Sequence, residues 1–364
     1  MDAKPQSAIE TPLRKREEAL GASFATWFGC ILPQQFSTLE NEYRFARATA
    51  ALVDKNYRAF LYLTGPDRER YLNAILTNDV RDAASRRGVP SLLLNPQGHI
   101  LAELEVYSLG DRHLVVSYQM FRERLIEALD RYIIMDDVAI EDATDMLAVI
   151  GVEGLKSADV LRAAGGGELE SFAELEHREG SVAGIPVRIV RRSLGGVPGF
   201  ECIVERASVE SLWDALLDAV RAVGGGPIGY NALNTLRLEA GIPWFGYDFD
   251  ENVIPHEARL ETTHISFSKG CYTGQEIVER VRSRGHVNRV RAGLEFSGSA
   301  IPDRGAKLTA DGKEVGHVTS AGFSRALGHG IGMGYLRREH AAPGSVLQCA
   351  GASATVIELP LHTT

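Results

Sequence analysis

The apolar positions of this chain of 364 residues change period in a fixed order, and the order occurs twice. Arg58–Leu63 (RAFLYL) reads as a strand. Gly65-Pro66-Asp67 then turns the chain into a helix carrying Tyr71, Leu72, Ile75 and Leu76 on one face. Strands follow at 90–95 and 99–109, joined at Asn95-Pro96-Gln97-Gly98, whose residues suit a tight hairpin. Another strand is predicted at 114–118. An amphipathic helix follows over 121–132, with Leu125, Ile126 and Leu129 spaced for one face. The second copy is weaker. It has strands at 146–150, 186–191 and 200–205 around the Gly195-Gly196 turn, and helices at 154–164 and 208–220. Each copy reads as a β-α-β-β-α unit of the split βαβ type. Two such units packed together can enclose a cleft.

Outside the two copies the texture differs. Residues 1–20 read as a charged lead-in or a short surface helix. Gly224-Gly225-Gly226-Pro227 closes the second copy, and a helix over 231–240 (NALNTLRLEA) stops at Gly241-Ile242-Pro243. After Val290 six short strands alternate with glycine turns, the pattern of a small antiparallel barrel or sandwich. The fold class is therefore α+β. The expected domains are an N-terminal segment (1–56), a ferredoxin-like domain (57–142), a second α+β domain (143–286) and a C-terminal β-barrel (287–364).

Composition narrows the function. Hydrophobic content of 45% and charged content of 24% are ordinary for a globular protein, and the formal net charge is -9. Without a basic excess to meet phosphates, no nucleic-acid partner is expected. Arg280, Arg282, Arg284, Arg289 and Arg291, with His286, form a local basic cluster. It reads as a solvated face or, more sharply, a groove for an anion. The four cysteines are far apart, so no metal-binding spacing is present and no metal is expected. Sparse cysteines, a polar N-terminus and the lack of a long apolar run make a cytoplasmic location, away from membranes, the expectation.

Candidate chemistry centres on Lys269-Gly270-Cys271-Tyr272-Thr273-Gly274-Gln275-Glu276. A cation and a helix N-terminus both favour a thiolate. Gly270 and Gly274 suit a turn that opens a helix at Gln275. Cys271 is then a reactive thiol with Lys269 lowering its pKa, or an inert cysteine beside a turn. Lys269 could instead meet an anionic ligand tail. Glu239, near a helix C-terminus, reads by position as exposed. The functional alternative is an acceptor of paired N–H bonds from the amino-pyrimidine edge of a ligand. Tyr230 lies nine residues upstream. Trp244, Phe245, Tyr247 and Phe249 either line a flat-ring pocket or anchor a core.

These residues resemble a family. Lys269–Glu276 is similar to the K-G-C-Y-x-G-Q-E signature of the YgfZ-type folate-binding proteins, relatives of the glycine-cleavage T-protein. Thr64-Gly65-Pro66-Asp67, Leu76-Thr77-Asn78-Asp79-Val80, the 94–100 hairpin and Arg237-Leu238-Glu239-Ala240-Gly241 resemble further elements of that superfamily. The resemblance implies three domains around a central opening that binds tetrahydrofolate or a one-carbon derivative. It implies that Glu239 meets the pterin, with Tyr230, Asn95, Glu103 and Trp244 as further candidates for cofactor binding. It also implies that Cys271 serves the assembly or repair of iron–sulfur enzymes, with cluster proteins or assembly factors as partners.

One departure separates the branches. T-proteins resemble one another in an aspartate pair on the strand after the hairpin, and one of the two is their catalytic carboxylate. Here the matching residues are Ala102 and Glu103. On an alternating strand these face opposite ways, so Glu103 does not simply replace the group absent at Ala102. Three readings follow. The first is a folate-binding factor for iron–sulfur proteins. The second is a folate-dependent aminomethyl (one-carbon) transferase. The third is a non-catalytic, folate-regulated binding module.

Overall fold

The computed structural model describes residues 8–298 and 301–360. The chain falls into two compact units. The first comprises residues through Ile75, Asp79–Ser91 and Leu104–Leu233. The second comprises Leu76–Asn78, Leu92–Glu103 and the chain from Asn234 onward.

Two larger sheets lie in the first unit, Leu92–Leu94 and Ile100–Glu103 of their strands being counted with the second. The five-stranded sheet has the order Val89–Leu94, Ile100–Ser108, His113–Tyr118, Arg58–Thr64, Ala139–Asp142. The six-stranded sheet has the order His177–Val182, Ile185–Arg191, Gly199–Glu205, Leu147–Glu153, Ala51–Asp54, Gly226–Pro227. In both, the strand that opens the copy lies fourth, beside the last of three consecutive strands. The duplication is thus present, with three strands between the helices of each copy. His177–Val182 (HREGSV) escapes the sequence pattern because it is an edge strand whose centre is solvated and polar.

Leu147–Glu153 is buried along nearly its whole length, which explains its continuous apolar run. One face, through Ile150 and Val152, packs with Leu212, Trp213 and Leu216 of the Val209–Ala222 helix. The other, through Val149, packs with Phe60, Leu114 and Val116 of the five-stranded sheet. A three-stranded sheet of Ile9–Glu10, Cys30–Gln35 and Ser23–Trp27 precedes both.

The second unit carries a closed six-stranded barrel. Arg289–Phe296 pairs with both His329–Arg337 and Ala352–Ile357, which closes the ring. Leu294, Phe296, Val318, Leu336 and Val356 fill its interior. Lys313–Ser324 passes from one neighbour to the next with register shifts at Leu308/Thr309 and Val318/Ser320, the bulges that let so small a sheet curl. No helix among the described residues is long and apolar enough to cross a membrane.

Candidate functional site

In the second unit the octapeptide, the hairpin and the Thr77-Asn78 segment are built onto one another. The Lys269 ammonium is buried and donates to the carbonyls of Leu76 at 2.6 Å and Asn78 at 2.8 Å. It also lies 5.3 Å from the Tyr272 ring centroid. Thr77 adds to the stitching: its hydroxyl donates to the His264 carbonyl at 2.6 Å and accepts from the Leu92 amide at 2.9 Å. The expectation that Lys269 polarises Cys271 therefore meets a competing use, because the ammonium is held by backbone oxygens.

The helix after the octapeptide spans Gln275–Arg284, and Gly274 precedes it with φ 82°. A Cβ at Gly274 would stand 2.7 Å from the Asn95 carbonyl oxygen, and one at Gly98 would stand 2.9 Å from Ile277 Cβ. Each motif thus needs its glycine because the other approaches so closely. Asn95 closes the hairpin by accepting from the His99 amide through Oδ1 at 2.9 Å. Cys271 and Gly270 are exposed, while Tyr272 is buried. Gln275 is half-buried, and Glu276 is exposed and pairs with Arg280 at 2.8 Å.

The alternation read for 102–103 is present. Ala102 is buried, and Glu103 lies on the other face, its carboxylate 3.2 Å from His264 Nε2. His264 Nδ1 is in turn 2.7 Å from the Thr263 hydroxyl. Carboxylate, imidazole and hydroxyl thus stand in one run of contacts. His264 is absent from the sequence reading; no spacing rule links it to Glu103, and only the fold does.

Glu239 corrects the positional expectation: it is buried. It accepts from the Ser324 hydroxyl at 2.8 Å and the Ala326 amide at 3.3 Å, donors brought by the end of a barrel strand. Arg237, on the same helix, pairs with buried Asp248 at 2.5 Å and lies 4.5 Å from the Trp244 ring centroid. Trp244, Phe245 and Phe249 are core anchors, all fully or nearly buried. Tyr230 opens the Tyr230–Glu239 helix. It belongs to the first unit, where its hydroxyl donates to the Asp54 carbonyl at 2.8 Å and its ring stacks on Trp27 at 5.6 Å. The arginine cluster is largely spent on partners. Arg280 pairs with Glu276, Arg282 with Glu279 and Arg289 with Glu257, and Arg291 donates to the Ala258 carbonyl. The Arg284 side chain lies outside the described residues.

A second polar cluster lies in the core of the first unit. Lys55 pairs with Glu153 at 2.7 Å and Glu201 at 3.2 Å, and Arg58 pairs with Glu105 at 3.1 Å and Glu201 at 3.3 Å. Arg192 completes it, 2.8 Å from Glu105. Three acids thus meet three bases, all but the half-buried Arg192 out of water. Burial alone would raise the Glu105 carboxyl, but Arg58 and Arg192 bring it down to about 2. Among the described residues, no group of three or more His, Cys, Asp or Glu side chains could hold a metal ion.

Comparison with known proteins agrees with this architecture. Residues 13–269 match the GCVT N-terminal domain, and residues 289–361 match the glycine cleavage T-protein C-terminal barrel domain. An aminomethyltransferase of Streptomyces avermitilis is 31% identical over 339 residues, covering 92% of this chain and 91% of that protein. One of Saccharopolyspora erythraea is 29% identical and covers 98% of each chain. The crystal structure of the glycine cleavage system aminomethyltransferase T from Bartonella henselae superposes with a TM-score of 0.89, covering 98% of both chains at 24% identity, a likeness of fold. The chain belongs to the glycine cleavage T-protein family.

Proposed function

We propose that this protein binds tetrahydrofolate and transfers a one-carbon unit to it, as a folate-dependent aminomethyltransferase. The family's tetrahydrofolate chemistry and the near full-length match to proteins named aminomethyltransferase support this reading. The observation that carries it is the Glu103–His264–Thr263 chain. In this reading Glu103, held against His264, moves the proton from the strand where the family resemblance puts the catalytic carboxylate. Glu239 then serves as the buried acceptor for the ligand's paired N–H groups, with Asn95 and Trp244 shaping its surroundings. The test is turnover, read as methylenetetrahydrofolate formed from an aminomethyl donor protein. Activity that falls at least about 100-fold in Glu103→Gln supports the reading. No turnover by the folded wild type with a competent donor would sink it.

A second reading is favoured by one observation. The position matched to the first aspartate of the pair is buried Ala102, and Cys271 is exposed. A folate-binding protein that works through this thiol in iron–sulfur enzyme maintenance fits that pattern. It requires that Cys271→Ser abolish support of cluster enzymes in cells while folate binding stays intact. A folate-regulated binding module without chemistry is distinguished by partner binding that survives loss of both Cys271 and Glu103.

A further inference from the structure

The loop 247–253 and the barrel enclose a cleft of about 200 Å³, lined among others by Tyr247, Asp250, Arg289, Arg304, His317 and Tyr335. Most charges around it are already matched. Asp248 is neutralised by Arg237 at 2.5 Å and accepts from the Thr319 hydroxyl at 2.7 Å. Arg289 is held by Glu257 at 3.1 Å. His317 stacks on Tyr335 at 6.0 Å; burial, then Arg289, hold its pKa below the ordinary histidine value, so it adds no charge at neutral pH.

Two charges remain. Arg304 donates to the carbonyls of Gly246 and Tyr247, both at 3.0 Å, and no carboxylate pairs with it among the described residues. Those bonds and the Tyr247 ring, 5.5 Å from the guanidinium carbon, fix its direction and leave further N–H groups to donate. Asp250 accepts from the backbone and side-chain nitrogens of Asn252 at 2.9 and 3.2 Å through one oxygen only, and no cation pairs with it among the described residues.

We propose that this cleft binds a small zwitterion, an α-amino acid, with its carboxylate on Arg304 and its ammonium on Asp250. A simple anion would satisfy Arg304 but face Asp250, and a simple cation would do the reverse. A ligand carrying both charges answers both residues. The volume admits the amino-acid head and a small side chain, and the half-buried Tyr247 ring offers an apolar surface to the alkyl part.

The test uses the full chain without folate, so its outcome is independent of the folate reading. Alanine is titrated against the His317 ring signals by NMR, with acetate and methylamine as probes of one charge each. Saturable alanine binding is expected, at least about tenfold tighter than either probe (about 1.4 kcal/mol). Arg304→Met and Asp250→Asn should each weaken it by about tenfold or more, with circular dichroism unchanged. Acetate binding as tightly as alanine would overturn the proposal, leaving an anion site. So would an affinity untouched by either substitution, or His317 signals that never respond to alanine.

Discussion

Glu17→Gln is predicted to stabilise this protein, and to do so more strongly as the pH rises. Glu17 lies on the short Arg14–Ala19 helix, fully buried, beside the carboxylate of Asp54. Two ionised carboxylates cannot bond one another, so one must keep a proton. Asp54 accepts from the Asn56 amide and side chain at 2.8 and 2.7 Å, whereas no donor among the described residues reaches either oxygen of Glu17. Glu17 is therefore the protonated partner. Burial, and then the Asp54 charge, push its carboxyl up to about 10 from an ordinary 4.5. A carboxyl raised in the folded state contributes stability that is complete below the unfolded value. That contribution is lost progressively as the pH climbs from about 4.5 toward about 10.

At 1.36 kcal/mol per pH unit, the penalty at pH 7 is on the order of 3 kcal/mol, and near pH 9 about twice that. Glutamine keeps an N–H donor for Asp54 and removes the titration. Urea unfolding of both proteins at pH 5, 7 and 9, followed by circular dichroism, reads the difference. The gap in favour of the variant should be small at pH 5 and widen at each step. A variant less stable than wild type at pH 9, or a gap that does not change with pH, would refute the assignment of the proton to Glu17.

Three further outcomes follow from the packing. Lys55→Met leaves Glu153 and Glu201 buried with less compensating charge and should cost about 3–5 kcal/mol, read by denaturant midpoint. A near-neutral result would mean the cluster is hydrated. At pH 7.5 a thiol reagent should modify one cysteine, the exposed Cys271, and reach Cys30, Cys202 and Cys349 only on unfolding, since all three are buried and burial pushes Cys30 and Cys202 up to about 12. Gly274→Ala, strained at φ 82° and crowded by the Asn95 carbonyl at 2.7 Å, should cost about 1–3 kcal/mol and alter the reaction rate of Cys271. A silent substitution would show that the hairpin and octapeptide do not support one another.

The elements legible in the chain are those whose period is set by burial on one face. The two helices of each copy, the barrel strands and the hairpin at Asn95–Gly98 all announce themselves through spacing and turn residues. His177–Val182 does not, because an edge strand keeps its polar centre in water. No spacing in the chain singles out Lys55, Arg58, Glu105, Glu153 and Glu201; their burial depends on partners brought from different strands, and no local pattern encodes that pairing. Glu239 is the same case in miniature. Its place at a helix end suggests solvent, and only the arrival of Ser324 and Ala326 makes it a core group. The octapeptide was visible as a motif, but the use of Lys269 was not, since the carbonyls of Leu76 and Asn78 that hold it lie far away in sequence.

The most direct test of the folate reading is calorimetric titration of the purified full chain with tetrahydrofolate, alongside Glu239→Ala. Saturable micromolar binding, weakened about tenfold or more in the variant (about 1.4 kcal/mol), is the expected result. Folded wild-type protein that takes up no tetrahydrofolate would contradict it, and would leave family membership as a matter of fold without its ligand.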